Sequence, residues 1–318
     1  TPELEIERPW RTITWELLKR TELMDDIKTF KPTVGSVSQA RVLLVGPVGA
    51  GKSSFFNSIN SVFRGHVTSQ AMSGCSSTSL TTQFRTYSVK AGREGKPLPI
   101  ILCDTMGLED SKGAGLDIDD ISSILKGHLP DCYQFNPSAP LHSKGRQRFA
   151  QAVYSRGGEQ LTQTGDLVEL WKEHFKELLN PVNTSSAKGA EPEDSEVSVS
   201  ISMVEVAKHF VNVLSALVSP GVPQLVLLTK VDEACPLVKK DVRNVYKSGY
   251  IKELMQKVST RLGVPLSCVV PVRNYSEELE LDLNCDILLL SAIIQMLRFA
   301  DNYFDDVSDR LSEVKLKE

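Results

Sequence analysis

Residues 46–53 read Gly-Pro-Val-Gly-Ala-Gly-Lys-Ser, a G-x-x-x-x-G-K-S pattern whose chemistry is the grip of a polyphosphate. Gly46, Gly49 and Gly51 allow backbone angles that turn successive N–H groups into one concavity, with Ala50 inside the turn. Lys52 can reach the β- and γ-phosphates, Ser53 can ligate Mg2+, and Ser54 follows in the same helical turn. Two carboxylates extend the set. Asp104 opens Asp104-Thr105-Met106-Gly107, a D-x-x-G whose aspartate can hold Mg2+ through water and whose Gly107 N–H can sense a γ-phosphate. Asp232 closes Thr229-Lys230-Val231-Asp232, a T-K-x-D. Its carboxylate can accept from the N1–H and 2-amino group of guanine while the Lys230 stem lies along the base. Adenine lacks that pair of donors, so the choice between the purines is chemical.

These residues need a strand-and-helix frame. Residues 41–45 are an apolar run suited to a buried strand, and Phe55, Phe56, Ile59, Val62 and Phe63 recur at helical spacing behind the loop. Strands are expected over 82–89, 99–104, 224–232 and 268–272, with a hairpin turn at 90–96. Helices are expected over 117–129, 251–262 and 287–304, and after a Ser202/Glu205 capping box. The polar stretch 64–81 is where a mobile loop is expected. Thr78, Thr81 and Thr82 are its candidates for a hydroxyl completing the Mg2+ shell, with no choice among them. Residues 1–38 form a helical lead-in, with Trp15, Leu18, Met24, Ile27 and Phe30 as the stripe laid on the domain's flank. Tyr303-Phe304-Asp305-Asp306 imitates a two-carboxylate polymerase motif, but it lies in a helical pattern.

Composition narrows the classes. Hydrophobic residues at 41% and charged residues at 24% describe an ordinary globular chain. A net charge of −4 argues against non-specific nucleic-acid binding. No apolar run is expected to span a membrane, and no signal peptide opens the chain. Six scattered cysteines without a C-x-x-C suggest reduced thiols and a cytoplasmic protein.

G-x-x-x-x-G-K-S, D-x-x-G and T-K-x-D, in this order, resemble the GTP-binding domain of P-loop GTPases. Pro9-Trp10-Arg11, the run 45–57, Asp104 to Gly107, 131–137 and 274–282 resemble the interferon-induced protein 44 and 44-like family more closely. The resemblance covers roughly 1–142 and 220–304. It implies an α/β fold, a P-loop three-layer sandwich around a mostly parallel central sheet with strands in the order 2-3-1-4-5-6. It also implies GTP or GDP with Mg2+ as ligands, unidentified protein partners, and a cytoplasmic role in interferon-induced antiviral immunity. Leu108 stands where many signalling GTPases carry a water-orienting glutamine, and Asn274-Tyr275-Ser276 only loosely follows the usual S-A-K base loop. Leu108, with no obvious catalytic arginine in the first mobile loop, favours a slow GTPase or a non-catalytic scaffold, and no catalytic residue can be named.

Residues 144–203 interrupt the pattern. They carry a helix-like stretch 166–179 with Trp171 and Phe175, then the acidic Ser-rich run 185–200. They resemble the linker ahead of the reverse transcriptase in LINE-type retrotransposons. The expected domains are therefore 1–38, a GTPase-like domain of 39–143 with 204–306, and a poorly ordered insertion of 144–203. Strand 4 of the sheet is then missing or substituted, and the chain could be the impaired product of an interrupted gene.

Overall fold

The computed structural model describes residues 5–34, 37–71, 81–92, 95–108, 118–125, 127–135 and 223–315. The stretch 144–203, the capping box at Ser202 and Thr78 lie outside the described residues, as does the slot expected for strand 4.

Helix α1 (Leu17–Thr29) leads into β1 (Ala40–Leu44), the phosphate loop and α2 (Lys52–Arg64). Strands β2 (Arg85–Lys90) and β3 (Pro97–Asp104) and helix α3 (Ile118–Leu125) follow. After residue 222 come β4 (Val226–Leu228), the short helices α4 (Val231–Ala234) and α5 (Pro236–Lys240), and α6 (Gly249–Leu262). Strand β5 (Val269–Pro271) and the long α7 (Leu283–Lys315) complete the described fold.

β3 lies between β1 and β2, parallel to the first and antiparallel to the second. This register places Leu44 beside Asp104, so the phosphate loop and the D-x-x-G leave adjacent strand ends. β4 and β5 form a parallel pair, with Leu228 opposite Pro271. The neighbours β2-β3-β1 follow the order expected for the first three strands. The two sheets share no ladder among the described residues.

A single core cluster joins both halves. The five apolar residues read from the α2 stripe are all buried in it, with Ile100 and Leu102 of β3 and Ile287, Leu289, Leu290 and Ile293 of α7. Phe56 stacks on Tyr87 with ring centroids 4.1 Å apart. A second cluster packs Val231, Val238, Val245, Ile251 and Met255 around α6.

Two expectations need correction. On α1, Leu23 and Ile27 are the buried residues, whereas Leu18 is 67% exposed. Leu18 precedes Ile27 by nine residues, two and a half helical turns, which puts it on the opposite side. The segment 283–306 is also long and apolar enough to cross a membrane, contrary to the reading from sequence. Most of its apolar side chains are buried against α1, α2 and the sheet, so it serves as a core helix. Tyr303-Phe304-Asp305-Asp306 lies inside α7, as the helical reading expects. Among the described residues the cysteines are free, Cys103, Cys235 and Cys285 being buried.

Candidate functional site

The phosphate loop closes on itself through Lys52. Its ammonium donates to the carbonyls of Gly46 at 2.9 Å and Pro47 at 3.0 Å. Burial pulls its pKa down to about 8, although Asp104 nearby favours the charged form. Gly49 and Gly51 adopt φ values of 75° and 81°, the left-handed region that excludes most side chains. Gly46 does not use that region, contrary to expectation. A Cβ there would stand 3.4 Å from Ala50 Cβ, an ordinary contact. Its contribution is the carbonyl, which accepts from Lys52 and from the Leu108 N–H at 3.0 Å.

Ser53, Asp104 and Thr81 converge at the head of α2. The Ser53 hydroxyl donates to Asp104 Oδ2 at 2.6 Å and lies 3.1 Å from Thr81 Oγ1. Of the two described threonines, the structure brings Thr81 to this point, while Thr82 is exposed. Asp104 is fully buried, and burial raises its pKa against the Ser53 hydrogen bond and the Lys52 charge. One carboxylate and two hydroxyls form a hard-oxygen set that suits a Mg2+ ion sharing its shell with phosphate and water. Among the described residues no cluster of three or more His, Cys, Asp or Glu side chains could hold a metal by itself. Ser54 is half-buried in the first turn of α2.

The D-x-x-G turn is clamped onto the phosphate loop. Val48 N–H donates to the Leu108 carbonyl at 3.2 Å, alongside the Leu108-to-Gly46 bond. A Cβ on Gly107 would meet Val48 Cγ2 at 2.6 Å and Val48 backbone at 2.9 Å. This close approach is the reason for glycine here. Gly107→Ala is expected to force the two loops apart, at a cost of about 1–3 kcal/mol in ligand-free stability. Urea unfolding of the purified variant measures it, and an unchanged midpoint would show that the clamp is dispensable. Leu108 is 6% exposed and packs with Phe84, Met106, Ile121 and Phe135.

The T-K-x-D loop docks from across the chain. Thr229 Oγ1 donates to the Ala50 carbonyl at 2.9 Å, and Asn274 Nδ2 donates to the Gly51 carbonyl at 3.1 Å. Lys230 adopts φ 57°, and its ammonium pairs with Glu233 at 3.4 Å. Asp232 stands in the first turn of α4, its Oδ2 3.3 Å from Arg273 Nε. Sequence reasoning missed Arg273, because nothing local to the T-K-x-D points to a residue beyond β5. It also missed the strap at 131–135. Phe84 N–H donates to Tyr133 O, Phe135 N–H to Thr82 O and Thr86 N–H to Asp131 Oδ1, pinning the segment that follows Thr81.

Residues 41–129 match the family model described as 50S ribosome-binding GTPase, a span holding the phosphate loop and the D-x-x-G. With the mixed sheet and the loop geometry, this makes the chain a carrier of a P-loop GTPase domain. Over 292 residues it is 40% identical to human "Interferon-induced protein 44-like", covering 91% of this chain and 57% of that protein. The chain is a relative of the interferon-induced protein 44 and 44-like proteins. Chimpanzee interferon-induced protein 44 is 36% identical over 289 residues, 91% of this chain and 58% of that protein. The mouse protein of the same name is 34% identical over 307 residues, 96% of this chain and 64% of that protein. The chain thus spans about three fifths of the length of the interferon-induced protein 44 relatives it matches.

Proposed function

We propose that this chain is a guanine-nucleotide-binding protein that holds GTP or GDP and turns GTP over slowly. The docking of Thr229 onto Ala50 carries the reading, because it ties the base-reading loop to the phosphate loop across 179 positions of sequence. The arrangement has separate parts for each end of a nucleotide. The amides of Gly49 and Gly51 and the Lys52 ammonium would serve the phosphates, while the Ala50 N–H closes the turn onto the Pro47 carbonyl at 3.2 Å. Asp232 offers its carboxylate to the base, and Gly107 supplies an N–H on the γ-phosphate side. Ser53 and Asp104 would hold Mg2+, which neutralises phosphate charge when bound.

Slow turnover is the reading favoured by Leu108 and Val48. The position that would orient an attacking water is a buried leucine, its backbone already bonded to the phosphate loop. Beside it stands the Val48 side chain, packed on Gly107. Neither side chain can accept or donate a hydrogen bond. A non-catalytic scaffold that signals through bound nucleotide is the limiting case, and single-turnover hydrolysis with purified protein separates it from a slow enzyme. The names of the relatives support placing this protein in the interferon response, and we extend the proposal to a cytoplasmic antiviral role through protein partners. Unpaired thiols at Cys103, Cys235 and Cys285 fit a reducing compartment.

Asp232→Asn tests the base assignment. Charge-assisted hydrogen bonds contribute about 1.5–3 kcal/mol, so the variant is expected to bind GDP more than tenfold more weakly, with ATP binding unaffected. Isothermal titration of both nucleotides measures it. Parental GDP affinity in the variant would remove Asp232 from the base site.

A further inference from the structure

Two consecutive residues just past β5 each carry a polar atom without a hydrogen-bond partner. Arg273 Nε and Asn274 Oδ1 are buried and have no hydrogen-bond partner. Arg273 is nevertheless fixed. Its Nη2 is bonded to Glu278, whose Oε2 accepts from the N–H groups of Ser276 at 2.8 Å and Glu277 at 3.1 Å. The guanidinium is therefore held by its own loop. Its Nε stands 3.3 Å from Asp232 Oδ2 without the alignment of a hydrogen bond. Nε and Asp232 Oδ2 thus form an ion pair without an aligned hydrogen bond, which leaves the Nε–H without an acceptor. The loop that carries them is anchored on the phosphate loop by Asn274 Nδ2, which a Cβ on Gly51 would approach to 2.8 Å.

We propose that Arg273 is a second base-reading residue, its Nε–H donating to the 6-oxo oxygen of a purine whose N1–H and 2-amino group donate to Asp232. This rests on the guanine reading above and adds a residue to it. The 6-oxo oxygen and N1–H are neighbours on one edge of the base, so an adjacent donor and acceptor address both. Adenine presents an amino donor at the same place, so N–H would face N–H and both buried partners would be left unpaired. Discrimination is then enforced from two sides, by a fixed cation as well as by the carboxylate. The fork geometry of the guanidinium matters, because one arm is needed by Glu278 while Nε faces the ligand.

The test is competition binding of GDP, IDP and ADP to the full chain and to Arg273→Met, Arg273→Lys, Glu278→Gln and Asp232→Asn, with ligand-free melting as the folding control. Arg273→Met keeps the apolar stem and removes the donors. It is expected to weaken GDP and IDP about tenfold and to leave ADP no weaker, lowering base selectivity by at least the same factor. Arg273→Lys should fail to restore selectivity, since an ammonium cannot serve Glu278 and the base together. Glu278→Gln should weaken GDP binding without altering either reader, by freeing the guanidinium to close onto Asp232. Unchanged or tighter GDP binding in Arg273→Met, or equal losses for GDP and ADP, would overturn the role of Arg273. Asp232→Asn separates the two readings. If it binds GDP as tightly as the parent, the guanine assignment itself fails; if it weakens GDP more than tenfold while Arg273→Met leaves GDP unchanged, only the arginine's role fails.

Discussion

Lys52→Ala is expected to lower GTP and GDP affinity by about 100-fold or more while leaving the ligand-free fold intact. The ammonium would make charge-assisted contacts to two phosphate groups, each contributing about 1.5–3 kcal/mol. Among the described residues its hydrogen bonds go to the loop's own carbonyls of Gly46 and Pro47. Its burial is unfavourable to the charge, as the pKa of about 8 records. Losing two loop hydrogen bonds and relieving a desolvated charge oppose each other, so the melting temperature should move little. Titration with a fluorescent nucleotide, read beside a ligand-free thermal melt, is the measurement. Retained affinity would remove the phosphate loop from function; a collapsed melt would mean that Lys52 is structural.

Asp286→Ala is expected to destabilise the protein by about 3–5 kcal/mol, the cost of breaking a buried ion pair from one side. Asp286 is 1% exposed. It accepts from Arg20 Nε of α1 and from the Tyr275 hydroxyl, each at 2.6 Å. Burial raises the pKa of both Asp286 and Tyr275. Alanine would leave the Arg20 guanidinium without its carboxylate and hand the Tyr275 hydroxyl to the Asp282 carbonyl, 3.0 Å away. Asp286→Asn keeps an acceptor for Tyr275 and should cost less. Denaturant midpoints at constant slope give the comparison, and equal stability of Asp286→Ala and parent would show that water replaces the carboxylate. The same cluster reaches the site, because Tyr275 N–H donates to Ser58 Oγ on α2 and Asn274 grips Gly51.

The motifs were legible because each is a local solution to a local problem. Glycine at 49 and 51 meets a positive φ, an apolar run before each motif makes a strand, and the α2 stripe follows the helical period. From these, the meeting of Lys52, Ser53 and Asp104 could be expected. What escaped reading depends on contacts between distant segments. Arg273 lies 41 positions beyond Asp232, and neither periodicity nor propensity marks the pair. The Val48–Leu108 clamp is made by backbone groups, which carry no residue code. The error on α1 is one of phase: Trp15 precedes the helix, so a stripe counted from it takes in Leu18 and passes over Leu23, while Ile27 is buried as expected.

The burial of α7 bears on how the molecule is made. A ribosome releases this helix after every element it packs on, including α1, whose Arg20 awaits an aspartate 266 positions away. Until α7 arrives, the apolar faces of α1, α2 and β3 lack a principal covering layer, and the most membrane-like stretch of the chain is still to come. Folding therefore completes late and over long loops, which slows it. Until α7 is made, those apolar faces are open to misassociation with other chains.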